Sequence, residues 1–346
     1  MQGESLSTLP LDRTSPGGVD PPLSAFILPT APAGCRVIPP FRDGHLHFFR
    51  DGVPLTVEGA LTALGVYARQ GVFALWDMGS RDGIGLRLKK ALSRQEAPLI
   101  RLKSAGYALH KKGLYGGFLG KGVKGIKEIR EAVAGIFREG GDFLKVVHSG
   151  IVSLKNPGRI TSGGFTREEL RCLVEEAQQY GLPVHCHVNS DSSIREAASF
   201  PISSIQHGFF ISEETLYLLK EKNIQWTPTL YALDHLKNGL PAEQKGAVEK
   251  IVDGHLESLS RAAQLGVDLV AGTDSGSQGV SPGRSFLEEL ALFEKAGLGL
   301  EQILSAACLD PGEMEKGNYL LVKEDFIREG NVEAAFRQGK PWPHLR

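Results

Sequence analysis

From Val37 onward the chain alternates short apolar runs with longer amphipathic stretches, and it does so eight times. The short runs are residues 37–41, 72–76, 99–107, 143–147, 183–186, 203–206, 224–229 and 267–272. Helical patterns such as residues 57–69, 86–95, 127–138, 167–180, 213–221, 242–264 and 285–295 lie between and after them. Strand and helix in strict alternation point to a parallel sheet, because parallel neighbours need a crossover that is usually helical. Eight such units over roughly 270 residues predict an α/β chain folded as a (β/α)8 TIM barrel, typically about 250 residues long. A doubly wound open sheet would carry a glycine-rich phosphate turn after its first strand, and Gly44-His45-Leu46-His47 is not one. One helix announces its start: in Thr166-Arg167-Glu168-Glu169 the threonine stands three residues before an acid, a capping box.

The ends read differently from the middle. Residues 1–36 are rich in proline and glycine and are expected to form an irregular arm, residues 37–310 the barrel, and residues 311–346 a tail. Two strand-like pieces, 319–323 and 332–337, lie in that tail. With 41% hydrophobic and 23% charged residues the chain can fill a sizeable core. A formal net charge of −1 with no charged block argues against nucleic acid and charged membranes as partners. No apolar run approaches the ~20 residues of a bilayer span, and the polar first twenty residues do not make a secretory signal. Four scattered cysteines suggest reduced thiols and a cytoplasmic protein. A small-molecule substrate is expected, and self-assembly into a homo-oligomer is left open.

Candidate metal ligands recur where strand-like runs end, the place where barrel enzymes keep their chemistry. His45 and His47 are one residue apart, so on a strand both imidazoles point to one side, and neutral imidazole suits a divalent metal such as zinc. Lys145 lies between Leu144 and Val146, and a buried lysine is costly unless paired or modified. As a cation it cannot ligate metal, whereas carbamylation by carbon dioxide turns it into an anionic carboxylate. His185 and His187 share a face around Cys186, which is taken as a core thiol. His185, at the strand end, is read as the ligand, and His187, one step into the loop, as a substrate contact. His207 precedes Gly208, and Asp274 precedes the turn Ser275-Gly276. Taken singly, each has an ordinary explanation: a hydrogen-bonded rim histidine, a snorkelling lysine, a helix cap.

Taken in order, the stretches Asp43-Gly44-His45-Leu46-His47, Asp142-Phe143-Leu144-Lys145-Val146, Pro183-Val184-His185-Cys186-His187, Ile205-Gln206-His207-Gly208 and Gly272-Thr273-Asp274-Ser275-Gly276 resemble the amidohydrolase superfamily. Within it the chain is similar to the branch of Xaa-Pro dipeptidases and imidazolonepropionase-like proteins. The similarity includes residues 71–79 and Trp226-Thr227-Pro228-Thr229-Leu230, and spans residues 37 to 309. The resemblance implies two divalent metal ions, zinc by expectation. His45, His47 and Asp274 would hold the more buried ion and His185 and His207 the other, bridged by carbamylated Lys145 and a hydroxide. Asp274 would carry the proton from hydroxide to leaving group. Two features depart from the family. The short proline-rich arm leaves a reduced or vestigial β-sandwich, and Cys308-Leu309-Asp310-Pro311-Gly312-Glu313 replaces an Asn-Pro-Ala segment.

The loops set specificity in such barrels. The third carries Tyr107, His110, Lys111 and Lys112, the fourth His148, Lys155 and Arg159, both with many glycines. They are expected to close over an anionic group, with His110, His148, Arg159 and His187 touching substrate and Tyr231 donating to the scissile carbonyl. The leading reading is a metal-dependent hydrolase of an amide or related C–N bond in an N-acyl amino acid, dipeptide or cyclic amide. The alternatives are a mononuclear deaminase of the same fold, a lactonase, or a barrel that only binds. Lys145 and the His-Cys-His sequence argue against the deaminase, and the full set of ligands against the inert barrel.

Overall fold

Seven parallel strands and one irregular segment close a (β/α)8 barrel in the computed structural model, which describes residues 32–50, 52–95, 100–156 and 158–342. The arm expected over residues 1–36 lies outside these up to residue 31, as does Leu99 of the third run. Phe41–Leu46 pairs with Val72–Asp77, which pairs with Arg101–Ser104. The third run then bends at Gly106, where φ is +68°, and resumes as Ala108–Lys111. That piece pairs with Leu144–Val147, and Val184–Val188, Ser204–His207 and Gln225–Thr227 follow in order. The eighth run is not a regular strand. It closes the ring through the parallel bridges Trp226–Leu269 and Leu46–Ser275 and a bond from Gly44 N–H to Ala271 O of 2.9 Å. Residues 113–125, read as a loop, contain a further strand, Gly120–Val123, parallel to Ala108–Lys111.

The first expected strand, 37–41, is divided between two sheets. Pro39 and Pro40 have no N–H to give a ladder, so pairing stops there and restarts. Cys35–Ile38 runs antiparallel to Tyr319–Lys323, which continues through Ala334–Arg337 to Lys340–Pro341. This four-stranded sheet is built from both ends of the described chain. Beyond the two prolines Phe41–Leu46 enters the barrel, with the Phe41 ring 5.4 Å from Phe286 and 5.9 Å from Phe326. Proline also ends the seventh strand: Pro228 follows Thr227, two residues short of the expected end.

Helices cover the barrel where the 3.6-residue pattern requires. Val57–Arg69 is capped by Thr56 and buries Ala60, Ala63, Leu64, Tyr67 and Ala68. Arg167–Gln179 starts on the expected capping box, with Glu169 N–H to Thr166 Oγ1 and Thr166 N–H to Glu169 Oε2. All four cysteines are free, and Cys186 is buried in the main core, its thiol pushed up to about 12 by burial. Among the described residues no helix is long and apolar enough to cross a membrane.

Candidate metal centre and the cavity above it

Nε2 of His45 and of His47 lie 3.4 and 3.5 Å from Asp274 Oδ1, and the ligand atoms of the three all fall within 4.8 Å of one another. The first and eighth runs meet here, and glycine makes the approach possible. A Cβ on Gly272 would sit 2.8 Å from the Cβ of His45 and 2.9 Å from its backbone nitrogen. His207 joins from the sixth strand, its ring 4.8 Å from that of His45, and His187 from the fifth, 4.4 Å from His207. Lys145 is 1% exposed and its Nζ has no partner; it lines the same cavity.

Three imidazoles are held by the edge facing away from this point. Nδ1–H of His45 donates to Gln206 Oε1 at 2.6 Å, that of His47 to Gly79 O at 2.8 Å, and that of His207 to Thr229 Oγ1 at 2.7 Å. The partners settle the direction. The Gln206 amide nitrogen donates to Ser204 and Thr227, so its oxygen is the acceptor, and the Thr229 hydroxyl donates to Pro228 O. A ring that donates from Nδ1 offers a bare lone pair at Nε2, the arrangement that orients metal-ligating histidine. Nε2 of His45 is buried with no hydrogen-bond partner. The donor set fits divalent metal.

Burial dominates the electrostatics. It pushes His47 and His187 down to about 3 and His45 and His207 well below the usual range, with the Lys145 cation adding to each. All four rings are therefore in the neutral form that coordinates. Burial lowers Lys145 against the pull of Asp274, and raises Asp274 against Ser277 and Lys145. A neutral lysine amine is the form that takes up carbon dioxide.

Backbone strain helps to build the site. His207, Thr229 and Asp274 have φ of +66°, +51° and +52°, uncommon for residues with a side chain. Strand alternation would send His207 outward, since Gln206 faces His45. The left-handed residue resets the alternation, so that both reach the interior. Such conformations cost about 1–3 kcal/mol each and cluster at functional sites.

The structure corrects several sequence expectations. His185 does not lie beside His207. It sits one step deeper, its Nδ1 in a 2.8 Å hydrogen bond with Ser204 Oγ and its ring 4.5 Å from Phe143 and 5.8 Å from Trp76. Two residues along a strand amount to roughly 6–7 Å, so of the pair only His187 reaches the mouth. His148 follows the inward Val147 and therefore turns outward, its Nε2 3.5 Å from Glu196 Oε2 on the helix Asp191–Ala198. Arg159 is exposed, because its loop folds back through the Val152–Ile160 bridge. His110 is buried against Gly116 and Gly122, with Nδ1 3.1 Å from Lys111 O. Lys111 pairs with Glu169. The Tyr231 hydroxyl bonds His235 Nδ1 at 3.1 Å, one turn along its own helix. None of His185, His148, Arg159, His110, Lys111 and Tyr231 lines the cavity.

That cavity measures about 680 Å³. At its floor are His45, His47, Lys145, His187, His207 and Asp274; its walls come from the first, third and fourth loops and from the helix Leu230–Leu236, with Asn189, Phe209, Ser277 and Gln278 also lining it. Tyr115, absent from the sequence expectations, lines this cavity, its ring 5.4 Å from that of His187. Gln206, Ser204 and Thr229 were equally absent. The alternation of Ser204 and Gln206 on one inward face was the signal for the first two, whereas Thr229 depends on a backbone turn no local pattern announces.

A model described as the amidohydrolase family matches residues 36–314. A curated relative, ochratoxinase of Aspergillus niger, is 30% identical over 189 residues, covering 53% of this chain and 38% of the relative, so the match spans little more than a third of that protein. The fold is shared with a solved Xaa-Pro dipeptidase with bound methionine in its active site, at TM-score 0.72 and 19% identity over 89% of this chain and 87% of that one. It is shared too with the solved A. niger ochratoxinase, at TM-score 0.71 and 22% identity over 88% and 82%.

Proposed function

The chain belongs to the amidohydrolase family, and from that premise we propose that it is a metal-dependent hydrolase cleaving an amide or related carbon–nitrogen bond in a small molecule. The observation that carries this reading is the convergence of oriented histidines on Asp274 and a partnerless buried lysine. His45, His47 and Asp274 would hold one divalent ion, His187 and His207 a second, with Lys145 between them as its carbamate. Nitrogen-rich donors of this kind suit zinc. When bound, such ions acidify water to a nucleophile and polarise a carbonyl.

The rest of the chemistry belongs to the chain. Asp274 is placed against both first-strand imidazoles, so its carboxylate takes a proton from the attacking water and returns it to the departing nitrogen. Gln206, Gly79 and Thr229 keep three rings in the coordinating tautomer and spare the site that reorganisation. The floor residues are themselves nearly all buried, which strengthens the charge interactions among them.

The test is metal content by plasma mass spectrometry on purified variants. The wild type is expected to carry two ions per chain. His187→Asn should lose one, whereas His185→Asn should keep both and lose stability instead. Two ions in His187→Asn and one in His185→Asn would return the fifth-strand ligand to His185, and an unloaded wild type in zinc-supplied preparations would overturn the reading.

A further inference from the structure

The cavity walls differ in kind from its floor. Phe49 from the first loop, Tyr115 and Phe118 from the third, Ile151 from the fourth, and Leu233 and Leu236 from the helix after the seventh strand face the same space. Among the described lining residues, the only formally charged side chains apart from the histidines are Lys145 and Asp274, both on the floor. The aromatic rings form a connected arc. Phe49 stacks on His47 at 5.3 Å with 4° between planes, Phe118 lies 6.1 Å from Phe49 and 5.7 Å from Tyr115, and Tyr115 closes on His187. The arc thus runs from one histidine of the floor to another. At the rim, Phe118 and Ile151 remain 41% and 40% exposed, large apolar side chains left to water at the entrance to the site.

We propose that these walls are an acyl-binding subsite, which takes a large apolar group, aliphatic or aromatic, attached to the carbonyl of the scissile bond. The inference rests on the hydrolase reading and adds the substrate class to it. Exposed apolar surface continuous with a polar floor marks a ligand groove, and a volume of about 680 Å³ exceeds what an acetyl or formyl group would fill. A carboxylate-bearing group on that side would find no cation among the described wall residues, since Arg159 does not line the cavity and Lys111 pairs with Glu169. The polar end of the substrate therefore stays on the floor or leaves to solvent, and the apolar end fills the walls.

Alkyl hydroxamates separate head from tail, because the metal-binding head is constant and only the chain varies. Titration calorimetry of the metal-loaded protein with acetohydroxamate and octanohydroxamate reads affinity without turnover. Each fully buried methylene is worth up to about fourfold. The six added methylenes should therefore tighten binding at least a hundredfold even if only part of the chain is covered. Phe118→Ser and Ile151→Ser, at side chains exposed enough for the fold to tolerate the change, should each remove about tenfold of that gain and leave acetohydroxamate binding as it was. Equal affinity for the two compounds in the wild type, or a gain untouched by both substitutions, overturns the subsite and leaves the hydrolase reading intact. Failure of both compounds to bind overturns the metal centre and the subsite together.

Discussion

At the scale of single residues, Lys145 and Gln206 carry the sharpest tests. Lys145→Ala should lose metal and activity together, and a short-chain carboxylic acid should restore part of both by standing in for the carbamate; full metal loading without the lysine would remove it from the centre. Asp274→Asn should keep the fold and lower turnover by about 10²–10⁴-fold, the range of a positioned proton carrier, as read by steady-state kinetics. Gln206→Leu touches no metal, yet freeing the His45 ring should weaken metal affinity by about 10–100-fold in chelator competition, with Gln206→Glu recovering most of it. His45 and His47 were legible as candidates because they lie one residue apart, Lys145 because it stands alone between Leu144 and Val146, and Asp274 because it follows the apolar run 267–272. The choice between His185 and His187 was not, since alternation fixes the face of a side chain and not its depth in the barrel. Nor was the inward turn of His207, which depends on a left-handed backbone residue.

At the scale of elements, helix starts were legible where side-chain chemistry is local, as with Thr166 and Glu169. Strand limits were less so: Pro39-Pro40 divides one apolar run between two sheets, and the eighth run closes the barrel by bridges alone. The fourth loop shows how composition misleads, for its basic residues face solvent or a helix while Ile151, Val152 and Leu154 face the cavity. One polar joint between elements gives a pH prediction. Asp191, at the start of its helix, accepts from Thr215 Oγ1 at 2.6 Å, Ser212 N–H at 2.9 Å and Arg195. Burial pushes Asp191 up, but these bonds outweigh it and hold the carboxyl down at about 2, against an ordinary 3.8. A depressed carboxylate contributes stability that is fully present above the unfolded value and lost as pH falls through the folded one. The difference in urea midpoint between wild type and Asp191→Asn should therefore be largest near neutrality and shrink from pH 4 toward pH 2. A difference that stays constant over that range would mean that the carboxylate charge plays no part in the joint.

At the scale of the whole molecule, Phe41, packed on Phe286 of a barrel helix, links the barrel to the C-terminal segment through Phe326. Phe326 is fully buried, and Phe326→Ala should cost about 3–5 kcal/mol in chemical denaturation. A loss below about 1 kcal/mol would mean that the segment after residue 311 only rests on the barrel. The pairing of Cys35–Ile38 with Tyr319–Lys323 bears also on the order in which the protein is made. The first strand leaves the ribosome early, with two histidines and no eighth-run neighbour, and Asp274 follows more than two hundred residues later. At synthesis rates of about 5–20 residues per second, the nascent chain spends seconds as an open sheet whose first edge is unsealed. Ring closure and docking of the terminal sheet are therefore late events, and a chain stopped before Asp274 would leave the eighth-run side of Phe41–Leu46 unsealed, an edge open to aggregation.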